Sequence, residues 1–266
     1  MSYDAIIEPD QLPAGSRLVD CRFSLGDAEA GLVEYRQGHI PGATYLHLNR
    51  DLSGPVGEHG GRHPLPDANT FARTLASHGI GPDTPVVAYD DSRFAFASRL
   101  WWMMRALGYR PPRLLNGGYQ AWLQLGVEPE SGDVKPTPIP APEGLSFAGV
   151  RDRDAVIAAQ AASAPLIDSR ESNRYAGLEE PIDPVAGHIP GACNRPWQGV
   201  TDAAGRVLPP GQLQDHFGDL LQSESLVVYC GSGVTACVNL LALSLLGRDD
   251  PDLYPGSWSD WCSYLD

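Results

Sequence analysis

The sequence has the length and composition of an ordinary globular protein, and its charge is strongly negative. It contains 266 residues, of which 42% are hydrophobic and 20% charged, and its formal net charge at pH 7 is −14. Nucleic acids and anionic membranes bind basic surfaces, so this charge argues against both as partners. No run approaches the roughly 20 apolar residues of a membrane span, and the N-terminal segment lacks the basic and apolar regions of a signal peptide. We therefore expect a cytoplasmic protein.

The cysteines indicate reduced thiols. There are five, an odd number, and no two of them form a Cys-x-x-Cys pair. A disulfide framework or a zinc site normally shows paired cysteines at short, regular spacings. We therefore predict neither disulfides nor a metal site.

Four sequence blocks occur twice in the same order, which predicts two tandem domains. In chain order, the first copy consists of an apolar run ending in Asp-x-Arg (18–22), Gly-His-Ile-Pro-Gly-Ala (38–43), a second apolar run (85–90) and Gly-Gly-Tyr-Gln-Ala-Trp (117–122). The second copy has the corresponding blocks at 166–170, 187–192, 225–230 and 256–261.

A proline-rich segment separates the two copies. It contains Pro129, Pro136, Pro138, Pro140 and Pro142. This composition favours an extended polyproline conformation over helix or sheet. We predict a first domain at 1–127, a linker at 128–147 and a second domain at 148–266.

Each copy alternates short strand patterns with long helix patterns. The apolar runs at 86–89 and 226–229 precede helical patterns at 96–107 and 234–246. Such alternation is typical of α/β domains, in which a parallel sheet has helices on both faces. Ligands of these sheets bind beyond the carboxyl ends of the strands, which directs attention to the loops that follow the two apolar runs.

The loop of the second copy places a cysteine where its thiol can be activated. Cys230 directly follows the strand pattern, and Gly-Ser-Gly then leads into a helix. A helix N-terminus and converging backbone N–H groups favour the thiolate over the thiol. The glycines allow successive N–H groups to face inward as an anion-binding nest. The pattern predicts a nucleophile, and the alternative is a small buried core residue.

These blocks, in this order, resemble the rhodanese family over nearly the whole chain. The resemblance implies two tandem rhodanese-like domains that need neither a metal nor an organic cofactor. In tandem members of the family the N-terminal domain is inactive and the C-terminal domain carries the cysteine. The sequence fits this pattern, because Asp90 stands where the repeat places Cys230.

The residues after the cysteine separate two types within the family. Thiosulfate-specific members look like Cys-Arg-Lys-Gly-Val-Thr, whereas 3-mercaptopyruvate members look like Cys-Gly-Ser-Gly-Val-Thr, the sequence found at 230–235. A loop without Arg or Lys offers a dianion only dipoles, while a monoanionic keto acid needs one carboxylate clamp. The resemblance therefore implies 3-mercaptopyruvate as the sulfur donor.

The resemblance also implies the residues that bind this donor. Arg170 and Arg174 are the candidates for the carboxylate clamp. An arginine here could instead pair with Asp168 or Glu171 to hold the domain together. The remaining predicted substrate-binding residues belong to the cysteine loop: Gly231, Gly233, Val234 and Thr235.

A proton relay is implied by two further residues. Ser232 lies in the cysteine loop, and His63 lies in a segment similar to the one that supplies the family's active-site histidine. Ser232 could alternatively be a plain turn serine, and His63 a surface histidine. The aspartate that accompanies this histidine in the family aligns with Asn49, so either Asp51 substitutes for it or this relay is not essential.

The prediction is a sulfurtransferase that forms a persulfide on Cys230 and passes sulfur to a thiol or cyanide, with a thioredoxin-like protein as one candidate acceptor. The nearest alternative is the same enzyme acting on thiosulfate. A cysteine phosphatase is disfavoured, because those loops are longer and end in a phosphate-binding arginine. The alternative outside enzymology is a sulfur-binding or interaction module without catalysis.

Overall fold

Two parallel β-sheets, one in each half of the chain, organise the structure. The computed structural model describes residues 4–265. The strands of the first sheet are β1 (Ile6–Ile7), β2 (Arg17–Asp20), β3 (Thr44–Tyr45), β4 (Val86–Tyr89) and β5 (Arg113–Leu115). Those of the second are β6 (Leu166–Asp168), β7 (Cys193–Asn194), β8 (Val227–Tyr229) and β9 (Asp252–Leu253).

Ten α-helices of the described residues cover these sheets. In the first half they are α1 (Ala30–Gln37), α2 (Leu48–Asp51), α3 (Ala68–Ser77), α4 (Ala97–Ala106) and α5 (Gly118–Leu123). In the second half they are α6 (Arg153–Ala161), α7 (Ser172–Tyr175), α8 (Pro210–Phe217), α9 (Ala236–Leu245) and α10 (Ser257–Trp261).

The two sheets repeat one topology. The first has the strand order β1-β5-β4-β2-β3 and the second has β9-β8-β6-β7. All pairings in both sheets are parallel. The counterpart of β1 in the second half is an isolated parallel bridge between Val150 and Leu253. The predicted fold class, two tandem α/β domains with parallel sheets flanked by helices, is confirmed.

The central strands and the helices that follow them form the core. β4 and β8 are buried along their whole length, and α4 and α9 are buried on nearly every side. The two helices contact each other, and one hydrophobic cluster includes residues of both. A continuous apolar core of this kind opposes relative motion of the domains. The loops that precede α4 and α9 are therefore held in fixed positions.

The proline-rich segment runs along the surface of the first domain. Within the described residues, the chain between α5 and α6 forms no helix and no strand, and its β-type pairing is confined to isolated bridges. Its backbone N–H groups at Gly132, Val134 and Ile139 donate to Arg36 O, Tyr35 Oη and Ala76 O. The segment therefore packs against α1 and α3 of the first domain.

The loop after β4 is folded around the carboxylate of Asp90. The two carboxylate oxygens of Asp90 accept hydrogen bonds from four backbone N–H groups, those of Ser92, Phe94, Phe96 and Ala97, at 2.8–3.1 Å. Asp90 and Cys230 occupy equivalent positions, because each directly follows the central strand of its sheet. The Asp90 carbonyl accepts a hydrogen bond from Tyr119 N–H in α5, and the Cys230 carbonyl accepts one from Trp258 N–H in α10. The turn of the first domain is thus an anion nest filled by its own side chain.

We predict that Asp90→Asn destabilises the protein. An amide offers one acceptor oxygen and turns an N–H donor toward backbone donors, so we expect a loss of about 2 kcal/mol in the free energy of unfolding. Chemical denaturation measures it. The control is Asp91→Asn, which removes the same charge from an exposed position and should change the free energy of unfolding by less than about 0.5 kcal/mol. Equal effects of the two substitutions would contradict this reading of the nest.

Candidate functional site

The Cys230 loop opens into a cavity between the two domains. The cavity has a volume of about 460 Å³. The first domain contributes residues of three loops to its lining, including Phe23, Arg62 and Phe96, and Glu34 of α1. The second domain contributes the Cys230 loop and residues near α7. The cavity therefore exists only because the domains are docked.

Cys230 lies at the end of β8 and is held by the final sequence block of the repeat. Its side chain lines the cavity, and the residue is 1% exposed. The Cys230 N–H donates to Ser257 Oγ at 3.1 Å, and the Cys230 carbonyl accepts from Trp258 N–H at 3.0 Å. Gly231 O accepts from Ser259 N–H at 2.9 Å. The block at 256–261 thus fixes the backbone on which the thiol is mounted.

Gly233 is required by the backbone, and Gly231 is closely approached by side chains of both domains. Gly233 has φ +73°, and a Cβ there would collide with Pro255 O. A Cβ on Gly231 would lie 3.2 Å from Arg62 Nη2 and 3.4 Å from both terminal nitrogens of Arg174. Glycine at 231 therefore lets two guanidinium groups approach the loop that carries the thiol.

The structure brings Arg174 to the position predicted for a substrate-binding cation and adds Arg62. Both line the cavity. Arg174 donates to Glu180 Oε1 at 2.7 Å and to Asp183 Oδ2 at 3.2 Å, and Arg62 pairs with Asp183 Oδ1. Arg62 was not predicted from the sequence to be a site residue. Only its place next to His63 could have indicated this role, because its approach to Gly231 depends on domain docking.

Arg170 also lines the cavity, but its guanidinium is engaged by the protein. Nε and Nη2 bind the Asp168 carboxylate, Nη2 donates to Gly187 O at 2.7 Å, and Nη1 donates to Glu180 Oε2 at 3.2 Å. The first domain, which lacks the cysteine, has the same arrangement, in which Arg22 binds Asp20 and Gly38 O. The duplication favours the structural alternative for Arg170 over direct substrate binding.

Ser232 and His63 meet across the domain boundary. The Ser232 hydroxyl lies 2.8 Å from His63 Nδ1, a hydrogen bond whose direction depends on the histidine tautomer. Burial, reinforced by the charges of Arg99 and Arg62, lowers the pKa of His63 to about 3. The histidine is therefore neutral at physiological pH and holds the Ser232 hydroxyl by a hydrogen bond.

Among the described residues, neither Asn49 nor Asp51, the two candidates for a third relay residue, forms a hydrogen bond with His63. Asp51 Oδ2 instead accepts the His47 backbone N–H at 2.7 Å, next to the start of α2. Asn49 lines a neighbouring cavity of about 520 Å³ together with His63. Ser232 and His63 therefore form a hydrogen-bonded pair, and Asn49 lines the adjoining cavity.

Arg99 binds the backbone next to both Ser232 and His63, and it was not predicted from the sequence. It lies in α4 and is fully buried, with Nη1 donating to Gly233 O at 2.9 Å and Nη2 donating to His63 O at 3.0 Å. One side chain of the first domain thus holds the backbone of both the cysteine loop and the histidine segment. The sequence feature that could have indicated this role is an arginine within an apolar helix pattern, since arginine is seldom fully buried without partners.

Cys237 and two further residues of the Cys230 segment complete the surroundings of the site. Burial raises the pKa of Cys237 to about 12, so this thiol remains protonated and unreactive. Val234 and Thr235 line the cavity at the beginning of the helical segment. No cluster of three potential metal ligands occurs in the part of the chain that the structure describes. Among residues 4–265, no helix has the length and apolar character needed to cross a membrane.

Comparison with known proteins identifies the family. The model of the rhodanese-like domain matches twice, at residues 4–125 and 153–264. A Pseudomonas aeruginosa protein named "Probable 3-mercaptopyruvate sulfurtransferase" is 44% identical, over 96% of this chain and 90% of its own length. The thiosulfate sulfurtransferase of Cricetulus griseus is 33% identical, over 96% of this chain and 88% of its own.

A solved structure extends the similarity to three dimensions. The 3-mercaptopyruvate sulfurtransferase from Leishmania major superimposes with a TM-score of 0.86 at 31% sequence identity, covering 100% of this chain and 76% of its own. Sequence, domain repeat and fold agree, and the chain belongs to the rhodanese-like family as a tandem-domain sulfurtransferase.

Proposed function

We propose that the protein transfers sulfur from 3-mercaptopyruvate to a thiol or cyanide through a persulfide on Cys230. The observation that carries this proposal is the approach of Arg62 and Arg174 to Gly231 beside the cysteine. The arginines supply a carboxylate clamp next to the nucleophile, as a keto acid requires. The relatives named for the same donor support the assignment.

In the first step, the Cys230 thiolate attacks the sulfur of 3-mercaptopyruvate. The S–S bond forms as the C3–S bond breaks, and the electron pair of that bond passes to C3 as the enolate of pyruvate. The thiol proton of the donor is transferred to C3, so pyruvate leaves and the cysteine carries a persulfide anion. In the second step, a thiolate or cyanide takes the outer sulfur and regenerates the Cys230 thiolate.

The anion nest of the Cys230 turn would stabilise both thiolate and persulfide. Its equivalent in the first domain holds the Asp90 carboxylate with four N–H groups. The sulfur of Cys230 takes the place of that carboxylate, at the N-terminal end of α9. Gly231, Gly233, Val234 and Thr235 form this turn, so we assign them to binding the transferred sulfur and the donor.

Ser232 and His63 would move the proton. Ser232 is in the loop beside Cys230, and His63 is its hydrogen-bond partner. The serine hydroxyl can pass the donor's thiol proton toward C3, and the neutral histidine orients that hydroxyl through their hydrogen bond. In this proposal Arg99 positions the pair, and Arg170 positions Glu180 as well as lining the cavity.

The domain organisation fits a single active site. We propose that the first domain, within 1–127, is catalytically inactive because Asp90 fills its nest, that 128–147 is the linker, and that 148–266 carries the chemistry. The acceptor would be a small thiol, cyanide or a thioredoxin-like protein, and we propose a cytoplasmic location.

Thiosulfate is the second candidate donor, favoured by the Cricetulus griseus relative that carries its name. The loop of this chain has no cation at 231 or 232 to accompany the three arginines that line the cavity. We therefore rank thiosulfate below 3-mercaptopyruvate.

We predict that kcat/KM is higher for 3-mercaptopyruvate than for thiosulfate, and that Cys230→Ser abolishes turnover of both. The measurement follows pyruvate release and thiocyanate formation with cyanide as acceptor. Cys237→Ser is the matched control, because that thiol is buried and protonated, and it should retain activity. A higher kcat/KM for thiosulfate would overturn the choice of donor, and activity in Cys230→Ser would overturn the mechanism.

We also predict that Ser232→Ala and His63→Asn each lower kcat for 3-mercaptopyruvate by about 100-fold, and that the double substitution costs little more. Because the pKa of His63 is lowered to about 3, the histidine stays deprotonated until the pH approaches that value. The kcat/KM profile of the wild type between pH 5 and 8 should therefore show no ionisation of this residue. A wild-type inflection near pH 6.5 that disappears in His63→Asn would contradict the relay as described.

A further inference from the structure

We propose that Glu180 and Asp183, which lie between α7 and β7, select a singly charged sulfur donor by neutralising the arginines that face Cys230. This inference rests on the proposed function and deepens it, because it assigns donor selectivity to residues outside the cysteine loop. Neither carboxylate was predicted from the sequence to be a site residue.

The two carboxylates are buried although they lie in an irregular segment. Their side chains are 3% and 2% exposed. Glu180 binds Arg174 at 2.7 Å and Arg170 at 3.2 Å. Asp183 binds Arg174 at 3.2 Å and also pairs with Arg62. Buried charges persist in proteins when they are paired, so each carboxylate fixes the position and the effective charge of the cations it contacts.

The charges of this cluster cancel. The cations are Arg62, Arg170 and Arg174, and the anions are Asp168, Glu180 and Asp183. Among the described residues, these three arginines are the basic residues that line the cavity. Its acidic lining residues include Glu34 and Asp91 of the first domain. The cavity therefore offers directed N–H donors for one carboxylate without a surplus of positive charge.

A neutral cluster discriminates between donors by their charge. One carboxylate of a keto acid can accept hydrogen bonds from Arg62 and Arg174 above Gly231. A dianion such as thiosulfate brings a second charge that no unpaired cation offsets. Coulomb energy is proportional to the ligand's charge, so an added unit of positive charge favours the dianion twice as strongly as the monoanion.

The test removes one negative charge at a time. Glu180→Gln and Asp183→Asn should each raise the ratio of kcat/KM for thiosulfate to that for 3-mercaptopyruvate by about tenfold, and the gain should shrink at high salt. Glu179→Gln is the matched control, because it removes the same charge from an exposed neighbouring residue, and it should leave the ratio unchanged. An unchanged ratio in both buried variants, or an equal rise in the control, would overturn the proposal.

A binding measurement separates this proposal from the proposed function. In a Cys230→Ser background, calorimetry compares the Kd of thiosulfate with that of pyruvate, with and without Asp183→Asn. We expect thiosulfate binding to strengthen about tenfold relative to pyruvate. If the wild type fails to turn over 3-mercaptopyruvate, the proposed function fails, and the ratio of Kd values still decides the selectivity. An unchanged ratio of Kd values in a variant that retains native circular dichroism contradicts the proposal. Asp183→Asn serves alone if Glu180→Gln does not fold, since Glu180 also accepts the backbone N–H groups of Ile182 and Asp183.

Discussion

The capture of the Asp90 carboxylate by a turn of backbone N–H groups is the interaction from which the role proposed for the Cys230 turn follows. A buried strand that ends at a tight turn before a helix leaves several N–H groups without partners in the regular structure. The first domain satisfies four of them with the Asp90 carboxylate. The second domain has Cys230 in the equivalent position, and we propose that its backbone binds a negatively charged sulfur. In this proposal the thiol makes the second turn reactive, whereas the carboxylate makes the first turn structural.

Domain docking is the second constraint, because the site is assembled from both halves. α4 and α9 pack into a common core, and Arg99 of α4 holds the carbonyls of Gly233 and His63. The first domain therefore supplies His63, Arg62 and one wall of the cavity. The copy of the fold without Cys230 thus forms part of the site that we propose for catalysis.

The sequence predicted what depends on local pattern. The repeat blocks, the strand before Cys230 and the glycines of its turn are short-range features, and the structure shows them with little change. The contact between Ser232 and His63 was implied only by resemblance, because 169 positions separate the two residues. Arg62 was missed because its partner Asp183 lies in the second domain, and Arg99 because its contact with Gly233 crosses to that domain. Glu180 and Asp183 were missed because acidic residues in an irregular segment carry no periodic signal.

Arg170 was predicted to be part of a substrate clamp, and this role stays a prediction. The same Asp-x-Arg block at Asp20 and Arg22 forms the same buried pair in the first domain, where Asp90 stands in place of the cysteine. A feature present in both copies serves the fold first. Features present in one copy only, such as Gly231 and Arg174 near Cys230, carry the information about chemistry.

The central claim is that Cys230 carries the sulfur as a persulfide, and its most direct test is the mass of the protein after one equivalent of 3-mercaptopyruvate without an acceptor. The account predicts a gain of one sulfur atom, located by peptide mapping on Cys230, and its loss when cyanide is added. A sulfur atom found on another cysteine, or pyruvate release without any gain in mass, would contradict the account.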